Sequence, residues 1–120
     1  MPPGLRASYA TTLVTCLGAD LGEVDALVRN LDRLRRIAPG FIPIVVHTTA
    51  RSAVAAELGV ETAVVMGRRR WAEKESGRWE DYAGRRIRQL AAHHRADNIV
   101  AANLLHPDAW ITLQQRHSAP

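Results

Sequence analysis

The sequence predicts a three-layer α/β fold, with one mostly parallel sheet of about four strands and helices on both of its faces. Three observations lead there. Short β-branched and apolar runs alternate with segments of helical periodicity, the order produced by strand–helix–strand crossovers. The runs are apolar throughout rather than alternating with polar residues, as in strands covered on both sides. The connections are only a few residues long, so successive strands are joined through their helices, pair in parallel and cross over with right-handed geometry.

Residues 9–17 (YATTLVTCL) read as the first strand, with Gly18 and Gly22 in the turn that follows. Val24, Leu27, Val28, Leu31, Leu34 and Ile37 then recur at helical spacing, with Asp20 as N-cap and Pro39-Gly40 as the stop. Arg29, Asp32, Arg33 and Arg36 fall opposite and read as a solvated face. Residues 41–47 (FIPIVVH) form the second strand, with Pro43 close enough to its start to be tolerated. Thr48 and Thr49 are placed to cap a short helix over residues 50–58 that Gly59 closes. Residues 60–66 (VETAVVM) are the third strand, ended by Gly67. A basic, tryptophan-bearing connection over residues 68–78 leads to a helix from Trp79 to His94, with Ala83, Ile87, Leu90 and Ala91 on its inner face. Residues 97–105 (DNIVAANLL) read as a fourth strand in preference to a helix, and 107–116 as a last helix.

A chain of 120 residues accommodates one domain, taken as residues 9–116, with flexible ends at 1–8 and 117–120. Apolar residues make up 47% of it and charged residues 23%, as in an ordinary globular protein. The lone thiol of Cys16 excludes an internal disulfide, and no apolar run approaches the ~20 residues of a membrane span. Neither a secretory leader nor a membrane partner is expected, and the chain reads as cytoplasmic. The charge is unevenly distributed. Residues 68–95 carry eight arginines and Lys74 against Glu73, Glu75, Glu80 and Asp81, an excess of five positive charges. The remainder carries seven basic and eight acidic side chains, so the net charge of +4 comes from this one segment.

In parallel α/β sheets, ligands bind at the carboxyl ends of the strands near a switch in strand order. That rule selects three loops. Gly18 and Asp20 lie where a phosphate could meet a helix N-terminus, although the stretch is neither G-x-G-x-x-G nor a P-loop. The structural alternative there is an ordinary capped turn. His47, Thr48, Thr49 and Arg51 bring an imidazole, hydroxyls and a guanidinium to the end of the second strand, where the hydroxyls also serve as caps. Arg68, Arg69, Arg70 and Trp71, followed by Arg78, Trp79 and Tyr82, combine cations with flat rings, suited to phosphate neutralisation and stacking on a base or sugar. The alternative is a solvated loop whose tryptophans pack back on the core.

His93-His94 project from different helix faces, and His106 with Asp108 would need a further ligand, so no metal site is expected. Cys16 reads as an inert core thiol. The residues identify neither a cofactor nor a catalytic group.

The strand resembling Tyr9-Ala-Thr-Thr-Leu-Val-Thr15, the helix resembling Ala26-Leu-Val-Arg-Asn-Leu31, and the strands Pro43-Ile-Val-Val-His47 and Thr62-Ala-Val-Val65 together resemble the nucleotide-binding half of GT-A glycosyltransferases, in particular the glycogenin-like branch. The resemblance covers about residues 9–66 and implies a nucleotide-sugar site at the ends of the first two strands. Where that family ends its fourth strand in a metal-binding D-x-D motif, this chain has Asn103-Leu104-Leu105, which implies a truncated or degenerate member. Three functions remain open: a nucleotide or nucleotide-sugar binder, a basic module that holds nucleic acid or an acidic protein through residues 68–88, and a self-associating or docking subunit whose tryptophans and arginines form its interface.

Overall fold

The structure is a computed structural model that describes residues 11–102. The expected flexible ends and the expected helix over 107–116 lie outside those residues, as does the end of the expected fourth strand. Within the described residues, strands and helices follow one another as expected, save that two helices precede the last strand: β1 (Thr11–Thr15), α1 (Leu21–Ile37), β2 (Ile42–His47), α2 (Ala53–Leu58), β3 (Glu61–Val64), α3 (Arg68–Lys74), α4 (Trp79–His94) and β4 (Asn98–Ala101). The sheet has the order β3-β2-β1-β4 and every pairing is parallel. Leu13 of β1 stands level with Ile44 of β2 on one side and Ile99 of β4 on the other, which fixes one face for all three.

Both faces are covered, which is why the strands are apolar on consecutive residues. Val14, Val45 and Val100 meet Val24, Leu27, Val28 and Leu31 of α1 and Ala55 of α2. On the opposite face, Leu13, Ile44 and Val46 pack with Val65 and with Leu90 of α4, flanked by Ile87 and Ala91. Each fully buried Val or Leu contributes about 1.5–3 kcal/mol relative to exposure, enough over four inward positions to make α1 the main brace of its layer. Its start is a capping box: the Asp20 carboxylate accepts from Glu23 N at 2.8 Å, and the Glu23 carboxylate accepts from Asp20 N at 3.1 Å.

Four local expectations are corrected. Asp32 is not on a solvated face: it is buried, its carboxylate 2.7 Å from Arg35 and 2.8 Å from Arg36, which is how a charge on that side of α1 is tolerated. The helix α2 begins at Ala53 rather than residue 50 and is capped by Ser52, whose Oγ accepts from Ala55 N at 3.0 Å. Residues 68–74 are helical rather than a plain connection, because Arg-Arg-Arg-Trp-Ala-Glu-Lys is rich in good helix formers and Gly77, with φ of 93°, comes only after it. The third strand is shorter than residues 60–66, because β2 ends at His47: the backbone makes its last bond to β2 at Val65 and then turns to α4. Val65 N donates to the His47 carbonyl at 2.8 Å, and Met66 N donates to Tyr82 Oη at 3.0 Å. Among the described residues, no helix is long and apolar enough to cross a membrane.

Candidate functional site

Because all four strands run the same way, the loops after β1, β2 and β3 leave the sheet at one rim. The strand order also reverses there: from β1 the chain goes to β2 and β3 on one side and to β4 on the other, placing the switch point between β1 and β4. The rim is held together at Thr48. Gly18 has φ of 84°, a left-handed conformation that glycine adopts freely, and its N–H donates to Thr48 Oγ1 at 2.9 Å. Gly67 backs onto the same residue; a methyl group on its Cα would stand 3.6 Å from Thr48 Cβ and 3.8 Å from the Thr48 carbonyl oxygen. The Gly18, His47-Thr48 and Gly67-Arg68 loops therefore form one continuous edge.

The two ends of that edge differ in charge. Beside β1, the first turn of α1 is already served by the Asp20 carboxylate, so it presents acid rather than bare N–H donors. Asp25, one turn further, accepts a hydrogen bond from Ser52 Oγ at 2.6 Å and ties α1 to the start of α2. Beside β3 the groups are cationic and aromatic, but several are committed to one another. Arg68 lies 4.6 Å over the Trp79 ring and 2.6 Å from Glu80. Trp79 Nε1 donates to the Met66 carbonyl at 2.8 Å. Trp71 stacks on Tyr82 with centroids 4.4 Å apart and donates from Nε1 to the Gly77 carbonyl at 3.0 Å. These contacts form a bracket fastening α3 to α4 and to the end of β3. Glu80 is held below the usual carboxylate range by its own backbone N–H and then by Arg68.

The side chains left at solvent are therefore Arg69, which is 96% exposed and 3.8 Å from Glu73, together with Arg70 and, on the middle loop, Arg51. Thr49 is partly buried. His47 is placed differently from the other candidates: it is fully buried at the end of β2, beneath the rim. Cys16 is buried too, its Sγ 3.6 Å from the Val46 carbonyl, and burial followed by the charge of Glu23 pushes its thiol up to about 12, so it is not a nucleophile at neutral pH. His93 and His94 meet edge to face at 4.8 Å. Among the described residues, no three histidine, cysteine, aspartate or glutamate side chains stand together as a metal site would require.

The sequence places these three loops at one rim, where the structure has them, but does not reveal how they are joined. The Thr48 hydroxyl was assigned to the cap of α2, whereas Ser52 has that task and leaves Thr48 free to bind Gly18. A serine directly before Ala-Val-Ala-Ala-Glu-Leu was the available signal. No protein-family model, no curated protein and no solved structure matches this chain.

Proposed function

We propose that the carboxyl rim binds a nucleotide or nucleotide sugar. One observation carries the reading: Thr48 holds the Gly18 loop by a 2.9 Å hydrogen bond and backs onto Gly67, so that three polar loops make one edge beside a switch in strand order. The order 3-2-1-4 is also that of the first four strands in doubly wound dinucleotide-binding sheets. Electrostatics selects the orientation. The N-terminus of α1 is occupied by Asp20, so phosphates belong at the other end of the edge, near Arg69 and Arg70, with Arg51 between. Asp20 and the Gly18 loop then face the sugar hydroxyls, for which a carboxylate is a good acceptor. The GT-A resemblance narrows the ligand to a nucleotide sugar and, with Asn103-Leu104-Leu105 in place of D-x-D, favours binding over glycosyl transfer. A cytoplasmic setting accompanies this reading.

The test is thermal unfolding against a panel of UDP- and GDP-linked sugars. At 100 times its Kd a ligand adds about 2.7 kcal/mol of stability, a shift of several degrees. The double substitution Arg69→Ala/Arg70→Ala should remove that shift and leave the unliganded Tm unchanged, since neither side chain has a buried contact. An unchanged Tm across the whole panel would rule the reading out.

A second reading, a basic module for a polyanion, is favoured by one specific feature: Arg69 and Arg70 point to solvent on α3, with Lys74 and Arg78 exposed nearby. Under it, retention on heparin or DNA at low salt should fall steeply as salt rises, through counterion release, and the same double substitution should weaken it. Stabilisation by a nucleotide sugar without heparin retention separates the first reading from the second.

A further inference from the structure

His47 closes β2 in the middle of the sheet. Two residues beyond Val45, it shares the face that α1 and α2 cover, and it is 0% exposed. Neither Nδ1 nor Nε2 has a well-aligned hydrogen-bond partner, and the Thr49 backbone reaches the ring only weakly. A neutral imidazole there leaves at least one ring nitrogen unmet, while an imidazolium would bury a full charge and at least one unmet donor. Burial and the Thr49 backbone are what act on its basicity, and no titratable side chain on the elements around it contributes a counter-ion. On β1, continuing the register one step past Thr15–Val46 brings Cys16 level with His47, and Cys16 is a neutral thiol. On α1, Asp25 is engaged by Ser52 and Glu23 by Asp20. The only titratable side chain on α2 is Glu57, which is exposed; Glu61 of β3 pairs with Ile44, at the opposite end of β2, and Arg51 on the connecting loop is exposed and of the wrong sign.

The residue is also wired to the rim. Its carbonyl accepts from Val65 N at 2.8 Å, and its neighbour Thr48 holds Gly18 and backs onto Gly67. We propose that His47 is an acid-sensitive latch: the edge formed by the Gly18, Thr48 and Gly67 loops stands while the buried imidazole is uncharged and comes apart when it takes up a proton.

Burial lowers the basicity of His47 below the ordinary 6.5, and the Thr49 backbone only partly opposes it. The opened or unfolded chain therefore binds a proton at a higher pH than the native one. The contribution of His47 to stability is complete above 6.5 and is lost as pH falls from there toward the native value, by about tenfold in the opening equilibrium per pH unit. The upper part of this window lies above the ordinary carboxylate range, and there aspartates and glutamates do not mask it.

The experiment is ligand-free, so its outcome does not depend on the nucleotide reading. Urea unfolding is measured at steps from about pH 7.5 to about pH 5, a range in which histidine is the side chain that ordinarily changes charge. The wild type should lose stability at about tenfold per unit below 6.5, the variant His47→Phe should be nearly flat, and His93→Gln/His94→Gln should behave as wild type. Ring NMR of the wild type over the same range needs no variant and covers the case in which His47→Phe fails to fold. The His47 ring should stay neutral as long as the native Gly18, Thr48 and Gly67 amide signals persist. If that ring titrates near 6.5 while those amides remain in place, or if His47→Phe keeps the wild-type slope, the latch does not exist.

Discussion

Thr12 within β1 and Thr48 just past the end of β2 show how differently one side chain can serve. Thr48 lies at the rim, where its hydroxyl accepts from Gly18. Thr12 lies inside β1, fully buried, and its Oγ1 has no hydrogen-bond partner. A buried hydroxyl without a partner is a liability of about 1–3 kcal/mol, and valine has nearly the same shape. Thr12→Val should therefore raise the urea midpoint at unchanged m, by about 1 kcal/mol; a loss of stability would mean the hydroxyl has a partner after all. At this scale the sequence was only partly legible. It singled out Gly18, Asp20, His47, Thr48, Thr49, Arg51 and Arg68 through Trp71 by residue type and loop position, but type does not reveal burial. His47 was grouped with the rim hydroxyls and turned out to lie beneath them. Arg68 and Trp71 were grouped with Arg69 and Arg70, yet Trp79, Glu80 and Tyr82 hold them in place. Such pairings depend on which residues α4 brings back over β3, which local spacing does not encode.

Among the elements, the long helices were legible and the short ones were not. The spans of α1 and α4 follow from apolar periodicity sustained over several turns, and both run to the ends that spacing indicates. A six-residue helix such as α2 is too short to stand alone, so its limits are set by whichever groups cap it. Ser52 does so at the start, and at the end Gly59 turns with φ of 70° while Arg35 of α1 donates to the Leu58 and Gly59 carbonyls. Arg35 also meets buried Asp32, so one guanidinium both closes α2 and neutralises a core carboxylate. Arg35→Ala should accordingly cost about 2–4 kcal/mol by leaving a buried charge half-paired and two carbonyls without their donor. Arg36, with a side chain 71% exposed, contacts the same carboxylate from solvent, and Arg36→Ala should cost under about 1 kcal/mol. Equal losses in urea titrations of the two variants would show that the clamp does not hold α2.

For the whole molecule, the order of the strands determines what can come together. The moves from β1 to β2 and β3, then back across to β4, put α1 and α2 on one face and α4 on the other, and bring three polar loops to one rim. The parallel sheet covered on both faces was legible from continuous apolar strands and short connections, whereas its strand order was not. The excess of positive charge was legible as well: residues 68–95, which follow β3, carry it. What the pattern could not give was the fastening of the loops at Thr48, on which the ligand reading depends. Amide chemical-shift mapping during titration with a nucleotide sugar tests it most directly. The account expects Gly18, Thr48, Thr49, Arg69 and Arg70 to shift together and saturate along one binding curve. Shifts confined to the arginines of α4, or loops that respond with unrelated affinities, would contradict a single site at this rim.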